Sequence, residues 1–151
     1  MRLDQWLNEH QVHFNRLQHT PVYSANRLAQ CLHVPGREVA KTVLLRTGEG
    51  YAVAVLPADR RVDLEQVRRC LNDDGAELAS EAEMERLFPD CAPGALPPFG
   101  SLYHLRTLVD ESLAQDEDIV FDAQSHDEAI RMAYCDYETL EHPTRGQFTR
   151  H

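Results

Sequence analysis

The chain has 151 residues, 42% of them apolar and 26% charged, with a formal net charge of −10. That length predicts one domain, residues 1–151, able to bury about 68–70% of the surface its unfolded form exposes. No apolar run approaches the ~20 residues of a membrane span, no signal-peptide core follows Met1, and the acidic balance works against nonspecific adhesion to nucleic acid.

In chain order, Leu3, Trp6 and Leu7 recur at helical spacing and predict a short opening helix. Val12 to Leu17 alternates apolar and polar and reads as a half-buried strand. Ser24 is placed to cap a helix carrying Ala25, Leu28 and Leu32, which Val34-Pro35-Gly36 ends. Two β-branched and apolar runs then flank Thr47-Gly48-Glu49-Gly50, a four-residue hairpin turn. The second run, Tyr51 to Leu56, is apolar throughout, as a strand buried on both faces requires.

Lys41 stands at the entrance to the first of these strands. It is the only lysine; the other 14 of the 15 basic side chains are arginine. An ammonium is a compact point charge with three rotatable donors, where guanidinium is a planar fork. Two readings stand side by side: a chosen chemical group, or a strand-end lysine laying its stem on apolar surface with its head in water.

Asp63 caps a helix with Leu64, Val67 and Leu71 on one stripe. Ala76 to Ala79 is a candidate short strand, and Ser80 to Glu83 is a capping box opening a helix that stops at Pro89. Ala92 to Gly100 holds three prolines and two glycines, which rules out a helix or a central strand. It is a stiff loop, either a connector or a scaffold offering backbone groups to a ligand. Leu105 to Val109, Asp118 to Ala123 and Ala129 to Tyr134 read as strands, Asp110 to Gln115 as a turn or short helix, and Asp136 to Glu141 as a helical turn. The tail to His151 is polar, with mobility expected. Six or seven strands with helices among them predict an α/β (α+β) single domain on a mixed, curved or barrel-like sheet.

Cys31, Cys70, Cys91 and Cys135 form no Cys-x-x-Cys pair, which argues against zinc and against a disulfide framework; Cys31, Cys70 and Cys135 read as small core residues. The histidines show no ligand spacing. No metal and no cofactor are expected, and no nucleotide-binding or nucleophile-elbow motif occurs.

Three segments in this order carry a resemblance: Ala40-Lys41-Thr42-Val43-Leu44-Leu45, then Gly94-Ala95-Leu96-Pro97-Pro98-Phe99-Gly100, then Val120-Phe121-Asp122-Ala123-Gln124-Ser125-His126. From about Val22 to Leu140 the chain resembles the YbaK/prolyl-tRNA-synthetase-associated family of aminoacyl-tRNA deacylases and editing domains. The resemblance implies hydrolysis of the ester joining a wrong, small amino acid to the 3′-terminal ribose of tRNA, acting in trans in the cytoplasm. The implied partners are aminoacyl-tRNA and an aminoacyl-tRNA synthetase, with no DNA and no membrane. It places catalysis on Lys41, Gly94, Ala95 and Pro98, and substrate contacts on Thr42, Leu96, Pro97, Phe99, Asp122 and His126. Editing domains of the prolyl-synthetase type read Phe-His-Pro where this chain has Phe121-Asp122-Ala123. Asp122 either takes the substrate ammonium or caps a turn, and His126 is either a pocket group or a solvated turn residue. The alternative is a noncatalytic module of the same fold that binds tRNA ends or a protein.

Overall fold

Residues 2–151 are described by a computed structural model. Leu3 and Leu7 bury one face of α1 (Leu3–Glu9). The strand expected from Val12 starts later, as β1 (Asn15–Gln18). The cause is local: Gln11 has φ +58 and the Val12 N–H donates to the Leu7 carbonyl, so residues 10–12 complete the helix end. Ser24 caps α2 (Ala25–Leu32) by accepting from the Arg27 N–H.

β2 (Ala40–Thr47) and β3 (Gly50–Pro57) form the hairpin, with Thr47 opposite Gly50, so the turn itself is only Gly48 and Glu49. Ala52 to Leu56 are at most 2% exposed, as the unbroken apolar run requires. A two-residue β4 (Arg61–Val62) leads to α3 (Leu64–Leu71), whose Asp63 cap accepts from Glu65 and Gln66. β5 (Glu77–Leu78) precedes α4 (Glu81–Leu87), which carries the reciprocal Ser80–Glu83 capping box. β6 (Arg106–Asp110), β7 (Asp118–Asp122) and β8 (Glu128–Ala133) follow. Tyr134, expected in the last of these strands, instead opens α5 (Tyr134–Glu141), with Tyr134, Tyr137 and Glu141 on its buried side.

The tail corrects the expectation of mobility. It forms β9 (Thr144–Gly146), parallel to β6, and β10 (Thr149–Arg150), antiparallel to β4. Between them Phe148 is fully buried with Leu45, Val67 and Leu108, and its N–H donates to Asp110. One aromatic ring with a place in the core outweighs a polar run around it. The cysteine reading also changes: Cys135 is exposed, and Cys31 and Cys70 are only half-buried.

The five-stranded sheet runs β5-β2-β3-β6-β9 and a three-stranded sheet runs β1-β8-β7. The first is mixed, antiparallel at β2–β3 and parallel at β3–β6 and β6–β9. Among the described residues six strands have four or more residues; of the four shorter ones β5 and β9 edge the five-stranded sheet, and β4 and β10 pair as a separate two-stranded sheet. The sheets do not close into a barrel. A single parallel bridge, Val39 to Val120, joins the two larger ones.

Candidate functional site

That bridge aligns two strands. Lys41 on β2 and Asp122 on β7 each lie two residues beyond it in the same direction, so they are level with one another. By the alternation of strand side chains both project to the side of Val39 and Val120, which pack with Leu28 and Ala29 of α2. Lys41 is half-buried and its Nζ lies 3.4 Å from the Ala58 carbonyl oxygen. Burial lowers its pKa, the Asp59 carboxylate opposes that, and the Arg61 guanidinium adds to it.

The hairpin register also decides what Thr42 offers. Thr47 and Gly50 close a two-residue turn, so alternate residues from Thr47 back to Val39 bond to β3, and the N–H and C=O of Thr42 point to the outer edge. On that edge β7 touches Val39, β5 pairs with Leu45 and Arg46, and the Ala79 N–H takes the Leu44 carbonyl. Thr42, paired with Val55 on its inner side, lies in the notch between, where no strand pairs with its outer edge among the described residues. Its Oγ1 is buried with no hydrogen-bond partner.

The Gly/Pro loop is anchored along its length. At the entrance the Ala92 N–H donates to the Gln124 carbonyl, and Gly94 takes φ +82, a left-handed conformation open to glycine. Ala95, Leu96 and Phe99 are at most 4% exposed. Leu96 packs on Leu44 and Val53, and the Phe99 ring meets those of Trp6, Phe121 and Tyr137. These side chains fasten the loop to the core, which leaves its backbone as the part able to meet a ligand. The Tyr137 hydroxyl donates to the Pro98 carbonyl at 2.8 Å.

The exit is held by a group the sequence reading missed. The buried Glu141 carboxylate accepts from the Ser101 N–H and from the hydroxyls of Ser101 and Thr107. Burial raises its pKa and these hydrogen bonds oppose the rise. The sequence did carry a signal: Glu141 stands at i+7 and i+4 from Tyr134 and Tyr137, a carboxylate on an otherwise apolar stripe.

His126 ties the loop to Asp122. Its Nε2 donates to the Pro93 carbonyl at 2.6 Å, and its Cε1 lies 3.7 Å from where a Cβ on Gly94 would sit. The other ring nitrogen, Nδ1, is buried without a hydrogen-bond partner. His19, also missed, behaves alike: Nδ1 donates to the Thr20 carbonyl at 2.8 Å, and Nε2 is buried without a partner. Burial pushes the Asp122 carboxyl up to about 6, against the pull of His126 and then His19. Tyr23, 74% exposed, covers the outer side of His126 with ring centroids 4.9 Å apart. Nothing in one sequence marks His19 or Tyr23, because both act through contacts made by folding.

The structure thus brings Gly94, His126 and Asp122 together, sets Lys41 level with Asp122, and seats Ala95, Leu96 and Phe99 in the core. A concavity of about 240 Å³ lined by Thr47, Tyr51, Asn72, Asp73 and Arg106 lies at the other end of β2, roughly 20 Å of strand from Lys41. Among the described residues no three His, Cys, Asp or Glu side chains cluster as metal ligands, and no helix is long and apolar enough to cross a membrane.

A mixed sheet with this lysine strand and this loop matches the aminoacyl-tRNA editing domain, over residues 19–140. The chain belongs to that family. It is 32% identical over 101 residues to the multifunctional Ser/Thr-tRNA deacylase ProXp-y of Escherichia coli, a span of 66% of this chain and 60% of that one. It is 29% identical over 84 residues to a proline–tRNA ligase of Thermosipho africanus, covering 55% of this chain and 15% of the ligase. A hypothetical protein of solved structure superposes with a TM-score of 0.90 at 16% identity, over 99% of this chain and 100% of its own.

Proposed function

We propose that the protein is a cytoplasmic aminoacyl-tRNA deacylase, acting in trans to hydrolyse the ester of a mischarged small amino acid, with an aminoacyl-tRNA synthetase as the partner that presents it. The observation that carries this reading is the Val39–Val120 bridge. It sets the solitary ammonium of Lys41 level with Asp122, whose histidine neighbour grips the Gly94 loop.

The chemistry follows from the groups present. Lys41 holds the terminal phosphate or the ester oxygens as a point charge. The Thr42 N–H supplies a donor at the notch, where negative charge develops on the carbonyl oxygen. Asp122, with His126 and His19 close enough to act on its charge, takes the substrate's α-ammonium. The backbone from Gly94 to Pro98 positions a water that attacks the carbonyl carbon. The acyl–oxygen bond breaks, the ribose oxygen leaves with a proton, and the amino acid departs as its acid. The neighbouring ribose hydroxyl assists that proton transfer. Catalysis rests on positioning and charge stabilisation, with no enzyme-bound ester.

The test is ester loss from a panel of aminoacyl-tRNAs. Wild type should discharge at least one well above its spontaneous rate, and Lys41→Ala should lose most of that gain. Discharge at the spontaneous rate throughout the panel would leave the noncatalytic tRNA-end or protein-binding module as the reading.

A further inference from the structure

An acidic protein that handles tRNA needs a local positive surface, and the fold assembles one from two distant segments. β4 and β10 pair antiparallel with Arg61 directly opposite Arg150. Both side chains are exposed. Like charges directly opposed across a strand pair destabilise it, so the arrangement costs the fold something in isolation. Among the described residues neither guanidinium has a carboxylate within ion-pair distance, whereas Arg2, Arg16, Arg37, Arg46, Arg69 and Arg145 each do.

The ribbon is also shaped and placed. Arg60 beside it is fixed by Thr149 Oγ1 at 2.5 Å and by the His151 ring nitrogen at 2.9 Å. Of the nearby acids, Asp110 bonds Ser112 and the Phe148 N–H, Glu111 bonds Gln147, Asp63 caps α3, and the exposed Asp59 acts on Lys41. Lys41 bonds the carbonyl of Ala58, three residues before Arg61, and feels the Arg61 charge. Of the two strands, β4 lies within the span 19–140 that matches the editing domain and β10 lies beyond it.

We propose that the β4–β10 ribbon is a phosphodiester-binding surface on which Arg61 and Arg150 hold the backbone of the tRNA acceptor end, delivering its 3′ terminus to Lys41. This rests on the deacylase reading for the identity of the nucleic acid. Arginine suits the task because its fork bonds two phosphate oxygens at once.

The test uses the whole chain, a double variant Arg61→Ala/Arg150→Ala, and a single variant Arg61→Glu. Binding of uncharged tRNA is followed by fluorescence anisotropy across a salt series. Each phosphate contact contributes a slope of about 0.7–0.9 in log affinity against log salt, so the double variant should lose about 1.5 of that slope. Its KM for aminoacyl-tRNA should rise, and the ratio of aminoacyl-tRNA to 3′-aminoacyl-adenosine turnover should fall, since the small ester has no phosphodiester to hold. Arg61→Glu should bind tRNA more weakly while melting at a higher temperature, because it replaces a repulsive cross-strand pair with an attractive one. That rise in melting temperature separates lost binding from lost folding. An unchanged salt slope and an unchanged turnover ratio would overturn the ribbon. If wild type hydrolyses neither ester, the deacylase reading fails, and the anisotropy series still decides whether the ribbon binds tRNA.

Discussion

The ring nitrogen Nε2 of His126 lies 2.6 Å from the carbonyl oxygen of Pro93, a contact between the turn after β7 and the mouth of the Gly/Pro loop. It makes Nε2 a donor and fixes the residue before Gly94, and it leaves Nδ1 buried without a partner. One hydrogen bond thereby sets both the loop and the placement of the imidazole beside Asp122.

The two glycines that bound the loop should fail differently. Gly94 has φ +82 and its Cβ would find room, 3.7 Å from His126. Gly94→Val therefore meets a conformational cost of about 1–2 kcal/mol, the fold survives, and turnover is lost as the loop backbone shifts. Gly100→Ala instead drives a Cβ to 2.6 Å from Thr107 Oγ1 and 2.8 Å from the Leu105 carbonyl, and should cost about 1–3 kcal/mol by overpacking. Paired denaturant melts and deacylation assays check both. Full activity in a folded Gly94→Val would remove the loop from the site.

Asp122 makes stability and activity move in opposite directions with pH. Its folded-state pKa, pushed up to about 6 by burial, exceeds the ordinary ~3.9 of an unfolded aspartate. The folded form therefore binds the proton more tightly, and stability falls as pH rises from about 4 to about 6, then levels. Asp122→Asn should be more stable than wild type at pH 7.5 by roughly 3 kcal/mol, with the gain gone by pH 4. Wild-type turnover should decline below about pH 6, where the carboxylate that meets the ammonium is neutralised. Urea titrations at the two pH values read the first effect and a rate profile the second. An Asn variant less stable than wild type at pH 7.5 would contradict this account.

Phe148→Ala tests the tail. The ring is fully buried beside Leu45, Val67 and Leu108, so its removal should cost about 3–5 kcal/mol. A mobile tail would show no change in melting temperature.

Local chemistry was readable ahead of the structure where it depended on neighbours in the chain. Ser24, Asp63 and Ser80 cap their helices because a cap needs only the N–H groups two or three residues on. The β2–β3 hairpin followed from a glycine-bearing turn between two apolar runs. The misreadings have the opposite character. Tyr134 has a strand-like neighbourhood, yet it starts a helix whose Tyr137 reaches the Pro98 carbonyl 39 residues away.

By itself the amino-acid pattern determined the helix caps, the hairpin, the solitary ammonium at its entrance and the stiffness of the Gly/Pro loop. Each of these is a property of consecutive residues and their backbone preferences. Only the tertiary structure decided that Lys41 stands level with Asp122, that His19 and His126 gather near one carboxylate, that Phe148 is core, and that Arg61 faces Arg150. Lys41 and Asp122 are 81 positions apart, His19 and Asp122 103, Phe148 and Leu108 40, and Arg61 and Arg150 89, and a parallel bridge or a long-range ring contact leaves no periodicity in the segments it joins.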